Sequence, residues 1–155
     1  MSDPISYEDY LEEYGALTYS NVGASMLPLL RQGKDLFTVE RKAPGTRCKV
    51  GDVVLFRRPP DKYVLHRVIE VLPDGYTIMG DNCVTKERGV RDEDILGVMT
   101  GFVRDGKQHT VTERGYRLYR FLWLHGAPVR VFLKKAVWRV KAGIKKVLGI
   151  QGTKA

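Results

Sequence analysis

The chain has 155 residues, 43% hydrophobic and 28% charged, with a formal net charge of +8. Those proportions suit one globular domain with room for a core, and they exclude an intrinsically disordered or a membrane-embedded chain. Two cysteines, Cys48 and Cys83, are too few for a disulfide framework and point to a reducing compartment.

The stretch from Met1 to Glu13 carries five acidic residues and no basic one. It has neither the basic nor the apolar region of a secretory signal, so a cytoplasmic location is expected. Residues 5–14 read as a short acidic helix ending at Gly15. From about Ala16 to Val111 short apolar runs are separated by Gly, Pro and Asp turns, the pattern of a β-rich domain. The expected strands are Leu36-Phe37-Thr38-Val39, Asp52 to Phe56, Tyr63 to Val71, Tyr76 to Met79 and Ile95 to Val103. Pro73-Asp74-Gly75 marks a hairpin. Alternation puts Val64, His66 and Val68 on one strand face and Leu65, Arg67 and Ile69 on the other. No internal repeat or low-complexity segment is present.

The last quarter differs in kind. Residues 114–155 hold eleven Lys and Arg and no Asp or Glu, whereas the first 113 hold 15 basic and 18 acidic side chains. Residues 116–124 are apolar and aromatic, and Gly126-Ala127-Pro128 is expected to interrupt them. Beyond it Val129, Phe132, Leu133, Ala136, Val137, Val140, Ile144, Val147 and Leu148 recur at helical spacing, with Arg130, Lys134, Lys135, Arg139, Lys141, Lys145 and Lys146 opposite. No apolar run approaches the ~18 residues of a membrane span. Two readings stand for this basic amphipathic helix with its Trp138. It lies peripherally on an anionic membrane, or its stripe packs against the β domain. The wholly cationic polar face favours the membrane. Aromatic residues interleaved with arginines would also suit nucleic acid, but that reading leaves the stripe unexplained.

The chemistry centres on Gly23-Ala24-Ser25-Met26-Leu27-Pro28-Leu29, Leu65-His66-Arg67-Val68-Ile69 and Gly80-Asp81-Asn82. A serine hydroxyl needs a base to remove its proton. Histidine can take that proton and return it to a leaving amine, and a carboxylate on its far nitrogen fixes the tautomer. Ser25, His66 and Asp81 supply these parts in that order. The Ser25 backbone N–H is a candidate oxyanion donor, and Gly23 and Ala24 leave room for close substrate approach. His109 and His125 lack such settings and read as structural or surface residues. No ligand spacing suggests a metal, no Gly-rich loop suggests a phosphate, and no cofactor is expected.

These segments resemble the conserved boxes of type I signal peptidases, in the subtype with a histidine base. The resemblance spans roughly residues 22–101, and includes Gly51-Asp52-Val53-Val54 and Asp94-Ile95-Leu96-Gly97-Val98. It implies a mixed β-barrel or sheet catalytic domain over residues 1–112, followed by the helical tail, 113–155. It also implies a serine endopeptidase that binds an extended peptide or precursor beside a strand edge and prefers small residues before the cut. The role of Asp81 rests mainly on it, as does that of Glu87 as a supporting carboxylate where the family has aspartate; Gly23 and Met26 belong to the serine box. Three departures stand out: Glu87 itself, the inserted lysine in Gly33-Lys34-Asp35, and the missing N-terminal membrane anchor. Self-cleaving SOS-type repressors are similar but use a lysine base where this chain has His66. A catalytically silent peptide-binding relative is the alternative.

Overall fold

Ser6 and Gly15 bracket the first helix, α1 (Tyr7–Tyr14). The Ser6 hydroxyl accepts the Asp9 backbone N–H at 3.1 Å, satisfying a donor with no intrahelical partner. Gly15 closes the helix at φ 75°, a left-handed conformation glycine adopts without a Cβ penalty. Leu11, the helix's buried residue, points into the core. The computed structural model describes residues 5–147.

Eight strands follow: β1 (Ala16–Ser20), β2 (Leu36–Arg41), β3 (Val53–Arg58), β4 (Lys62–Leu72), β5 (Gly75–Met79), β6 (Glu87–Val90), β7 (Ile95–Arg104) and β8 (Lys107–Thr110). They form one antiparallel sheet in the order β1-β2-β7-β3-β4-β5-β6, with β8 on β7. Among the described residues β1 and β6 do not pair with each other, so the sheet is open. The five expected strands are present, and the hairpin pairs Leu72 with Gly75. β1, β6 and β8 are additional; Glu87-Arg88-Gly89-Val90 and Lys107-Gln108-His109-Thr110 lack the apolar alternation that marks a strand.

The long strand β4 organises the site. It pairs with β3 from Lys62 to Arg67 and with β5 from Arg67 to Leu72, so Lys62–His66 has one edge outside the ladder. Its alternation separates two cores. Val68 packs with Val54, Phe56, Tyr76 and Ile78 on one face, while Leu65 packs with Leu55, Val39, Phe37 and Met99 on the other. Full burial of each such side chain contributes ~1.5–3 kcal/mol.

The C-terminal helix α2 (Arg114–Val147) runs 34 residues without a break. Gly126-Ala127-Pro128 does not interrupt it, contrary to expectation. Pro128 removes one intrahelical hydrogen bond and crowds the carbonyl four residues back, but contacts on both sides of it hold the helix to the domain. Tyr116 and Trp123 are buried, and Tyr116 belongs to the core itself. The first half of the expected tail is thus part of the globular body. From residue 139 onward the described side chains are all exposed. Among the described residues no helix is long and apolar enough to cross a membrane.

Candidate active site

Chain leaving β1 turns sharply to present Ser25. Asn21, itself buried, donates through Nδ2 to Gly23 O at 2.8 Å and to Leu30 O at 3.3 Å, and so pins the turn at both ends. Met26 is fully buried with Leu29 and Leu30 in the core. Its burial anchors the turn and leaves its neighbour Ser25 on the cleft wall. At Gly23 a Cβ would meet nothing closer than Ser25 N and Oγ at 4.0 Å, so the space beside Ser25 is open on this side. The Ser25 N–H takes no part in the backbone hydrogen bonds of the described residues, which leaves it available as a donor.

His66 lines the same cleft from β4. The carboxylate behind it is Glu87, with Oε1 2.8 Å from His66 Nδ1. That oxygen lies off the ring N–H axis, so the two groups are in close contact without a formed hydrogen bond. Arg58 grips Glu87 from the other side, donating through Nε to Oε2 at 2.8 Å and through Nη2 to Oε1. Burial holds the imidazole pKa below its ordinary 6.5, against the opposing pull of Glu87. No hydrogen bond joins Ser25 Oγ to His66 among the described residues, although both face one cleft.

Asp81 does something else. Fully buried, it accepts from Arg67 Nε at 2.8 Å and Nη2 at 2.7 Å, and from the Tyr119 hydroxyl at 2.8 Å. The triad expected from sequence placed Asp81 on His66; the structure puts Glu87 there and pairs Asp81 with the residue after the histidine. Alternation is the reason. His66 and Arg67 point to opposite faces of β4, so one carboxylate serves each face. Burial works against the Arg67 charge, but Asp81 overrides it and raises the guanidinium pKa.

The loop from Gly80 to Asn82 joins the two parts. Asn82 N–H donates to Ser25 O at 2.7 Å, and its Nδ2 to Ala24 O at 3.1 Å. A Cβ on Gly80 would sit 2.7 Å from Ser25 O, 2.9 Å from His66 Nε2 and 2.7 Å from Cys83 Sγ, so only glycine lets these groups converge. Helix α2 closes over the loop. Trp123 Nε1 donates to Asp81 O at 3.1 Å, and Lys134 Nζ donates to Asn82 O at 2.6 Å and to its Oδ1. Tyr116, Tyr119 and Trp123 also surround the Arg67 guanidinium, 5.2–5.8 Å from their ring centres.

Composition offered no route to Arg58, Tyr119, Trp123 or Lys134 as site residues. The one available signal was the charged Arg67 inside an apolar strand, since a buried arginine requires a carboxylate. Burial raises the Cys83 thiol pKa beside the cleft, which keeps it protonated. No group of three or more potential metal ligands occurs among the described residues.

The cleft itself measures about 840 Å³. Tyr19, Ser20 and Val22 border it on one side, and Tyr63, Val64 and Leu65 on the other. Among the described residues β1 bonds only to β2, and the first half of β4 only to β3, so both walls carry backbone edges outside the sheet ladder. No protein-family model matches the chain, and no curated protein matches it.

Proposed function

We propose that the chain is a serine endopeptidase of the signal-peptidase type, with Ser25 as nucleophile, His66 as general base and acid, and Glu87 as the carboxylate behind the histidine. The observation that carries this is the meeting, at one cleft wall, of Ser25 and a buried His66 backed by a carboxylate 2.8 Å from Nδ1. A merely structural histidine needs no serine held against the adjoining loop. Hydrogen bonds between nucleophile and base are commonly long in unliganded enzymes and tighten around substrate.

In the proposed reaction His66 Nε2 takes the Ser25 proton as Oγ attacks the scissile carbonyl. The Ser25 N–H faces the developing oxyanion. His66 then returns the proton to the leaving amine, and water hydrolyses the acyl-enzyme by the reverse sequence. Glu87, braced by Arg58, stabilises the imidazolium formed in between. Substrate enters extended, adding its backbone to the edges of β1 and β4 with side chains in the largely apolar cleft. Asp81 is a positioning residue: through Arg67 and the Asn82 backbone it holds the loop that braces Ser25.

Incubation of wild type and Ser25→Ala with a diverse peptide mixture, read as new termini by mass spectrometry, tests this directly. New termini are expected with wild type, reduced about 10⁴-fold or more by Ser25→Ala. Termini that persist undiminished in the variant would remove Ser25 from the mechanism.

A further inference from the structure

We infer that α2 is a docking element for an anionic lipid surface, lying in the plane of the bilayer interface. Of the nineteen large hydrophobic side chains exposed on the described residues, eleven belong to this one helix. At 3.6 residues per turn, Leu118, Leu122, Val129, Leu133, Val140 and Ile144 fall along a single line, and all are exposed. Tyr116, Trp123 and Lys134, which hold the helix to the domain, project from the other side. The stripe therefore points away from the body of the protein, and packing against the β domain does not account for it.

Charge selects the occupant. Arg117, Lys135, Arg139 and Lys146 line one flank of the stripe, and residues 114–155 contain no acidic side chain at all. A second copy of the helix would bring cation against cation with no carboxylate to pair them. Nucleic acid would satisfy the charges and leave the stripe in water. An anionic bilayer satisfies both, with apolar side chains among the acyl chains and lysines and arginines at the headgroups. A second feature agrees. Where α2 begins, a cleft of about 500 Å³ is lined by Arg114, Arg117 and Arg120 beside Val50, Leu118 and Phe121. It combines cations for a phosphate headgroup with an apolar wall at the start of the stripe. Trp138, by contrast, lines the catalytic-side cleft and is not part of the membrane face. The helix thus lies between bilayer and cleft, whether or not Ser25 is a nucleophile.

Co-sedimentation of the full chain with vesicles of phosphatidylcholine, alone or mixed with phosphatidylglycerol, tests the inference. Binding to the mixed vesicles is expected to be on the order of 100-fold tighter and to weaken with salt. Leu133→Ser with Val140→Ser, which leaves every charge in place, is expected to lower that binding at least about ten-fold. Lys135→Glu with Arg139→Glu and Lys146→Glu is expected to abolish the preference for phosphatidylglycerol. Thermal melting of both variants should match wild type, because these side chains are exposed. Equal binding to both vesicle types, or full binding by the Leu133/Val140 variant, would overturn the inference. So would a dimer in sedimentation velocity that the Leu133/Val140 variant dissociates while vesicle binding is absent.

Discussion

Glu87 and Asp81 are both carboxylates near one histidine, and their surroundings assign them different work. Glu87 meets His66 and Arg58 at a half-buried position, whereas Asp81 is sealed with Arg67 beneath α2. Asp81→Asn therefore leaves a fully buried guanidinium without its counter-charge, which costs about 3 kcal/mol or more, and lost activity should track lost stability. Glu87→Gln should melt close to wild type, yet lower kcat by roughly 10²–10⁴-fold, because the imidazolium loses its stabilising charge. The pH profile distinguishes the two roles. A base must be neutral, and burial already holds His66 below 6.5, so the acid limb of kcat/KM should fall below that pH. Glu87 favours the protonated ring, so Glu87→Gln should move the limb lower still. A limb unmoved by Glu87→Gln would deny the pair any coupling.

Helix α2 has two parts in different surroundings. Its first half contributes Tyr116, Tyr119 and Trp123 to the Arg67–Asp81 pair, and from residue 139 onward its described side chains are all exposed. Trp123→Ala should lower stability by about 3–5 kcal/mol in denaturant unfolding, the usual cost of emptying a buried indole site. Val140→Ala, at 61% exposure, should stay within about 0.5 kcal/mol. Equal effects would mean that the helix is not anchored through its first half. The periodicity of this helix was legible in the sequence, since Val129 to Val147 repeat at helical spacing. Its continuity through Pro128 was not, because the contacts that stabilise the helix on both sides of that proline come from a loop some forty residues earlier.

At the scale of the whole molecule, charges in the β domain are paired across distant segments. Asp35 is the clearest case: fully buried, it accepts from the Arg31 backbone and side chain and from Arg104 on β7. Burial would raise its pKa, but the two arginines win and bring it from 3.8 down to about 2. A carboxylate depressed in the folded state stabilises the fold above its unfolded pKa and loses that contribution as pH falls through the folded one. Asp35 should thus contribute about 2 kcal/mol at neutral pH, lost between pH 4 and 2. Urea midpoints across that range, compared between wild type and Asp35→Asn, measure it. A wild-type curve no steeper with pH than that of the variant would contradict the assignment.

The sequence alone determined the local features: the short first helix ending at Gly15, five of the strands, the Pro73-Asp74 hairpin, the amphipathic period of α2 and its charge asymmetry. Each depends on neighbours within a few positions, through turn conformations and apolar periodicity. It also singled out Ser25 and His66, whose local settings are distinctive. Only the tertiary structure decided which carboxylate backs the histidine, because opposite faces of β4 receive partners from different loops. It alone showed that Gly80 sits where Ser25 and His66 converge, that α2 seals the Arg67–Asp81 pair, and that the stripe on α2 faces outward. Those outcomes depend on contacts between residues far apart in the chain, and no local pattern encodes which distant segment will supply the partner.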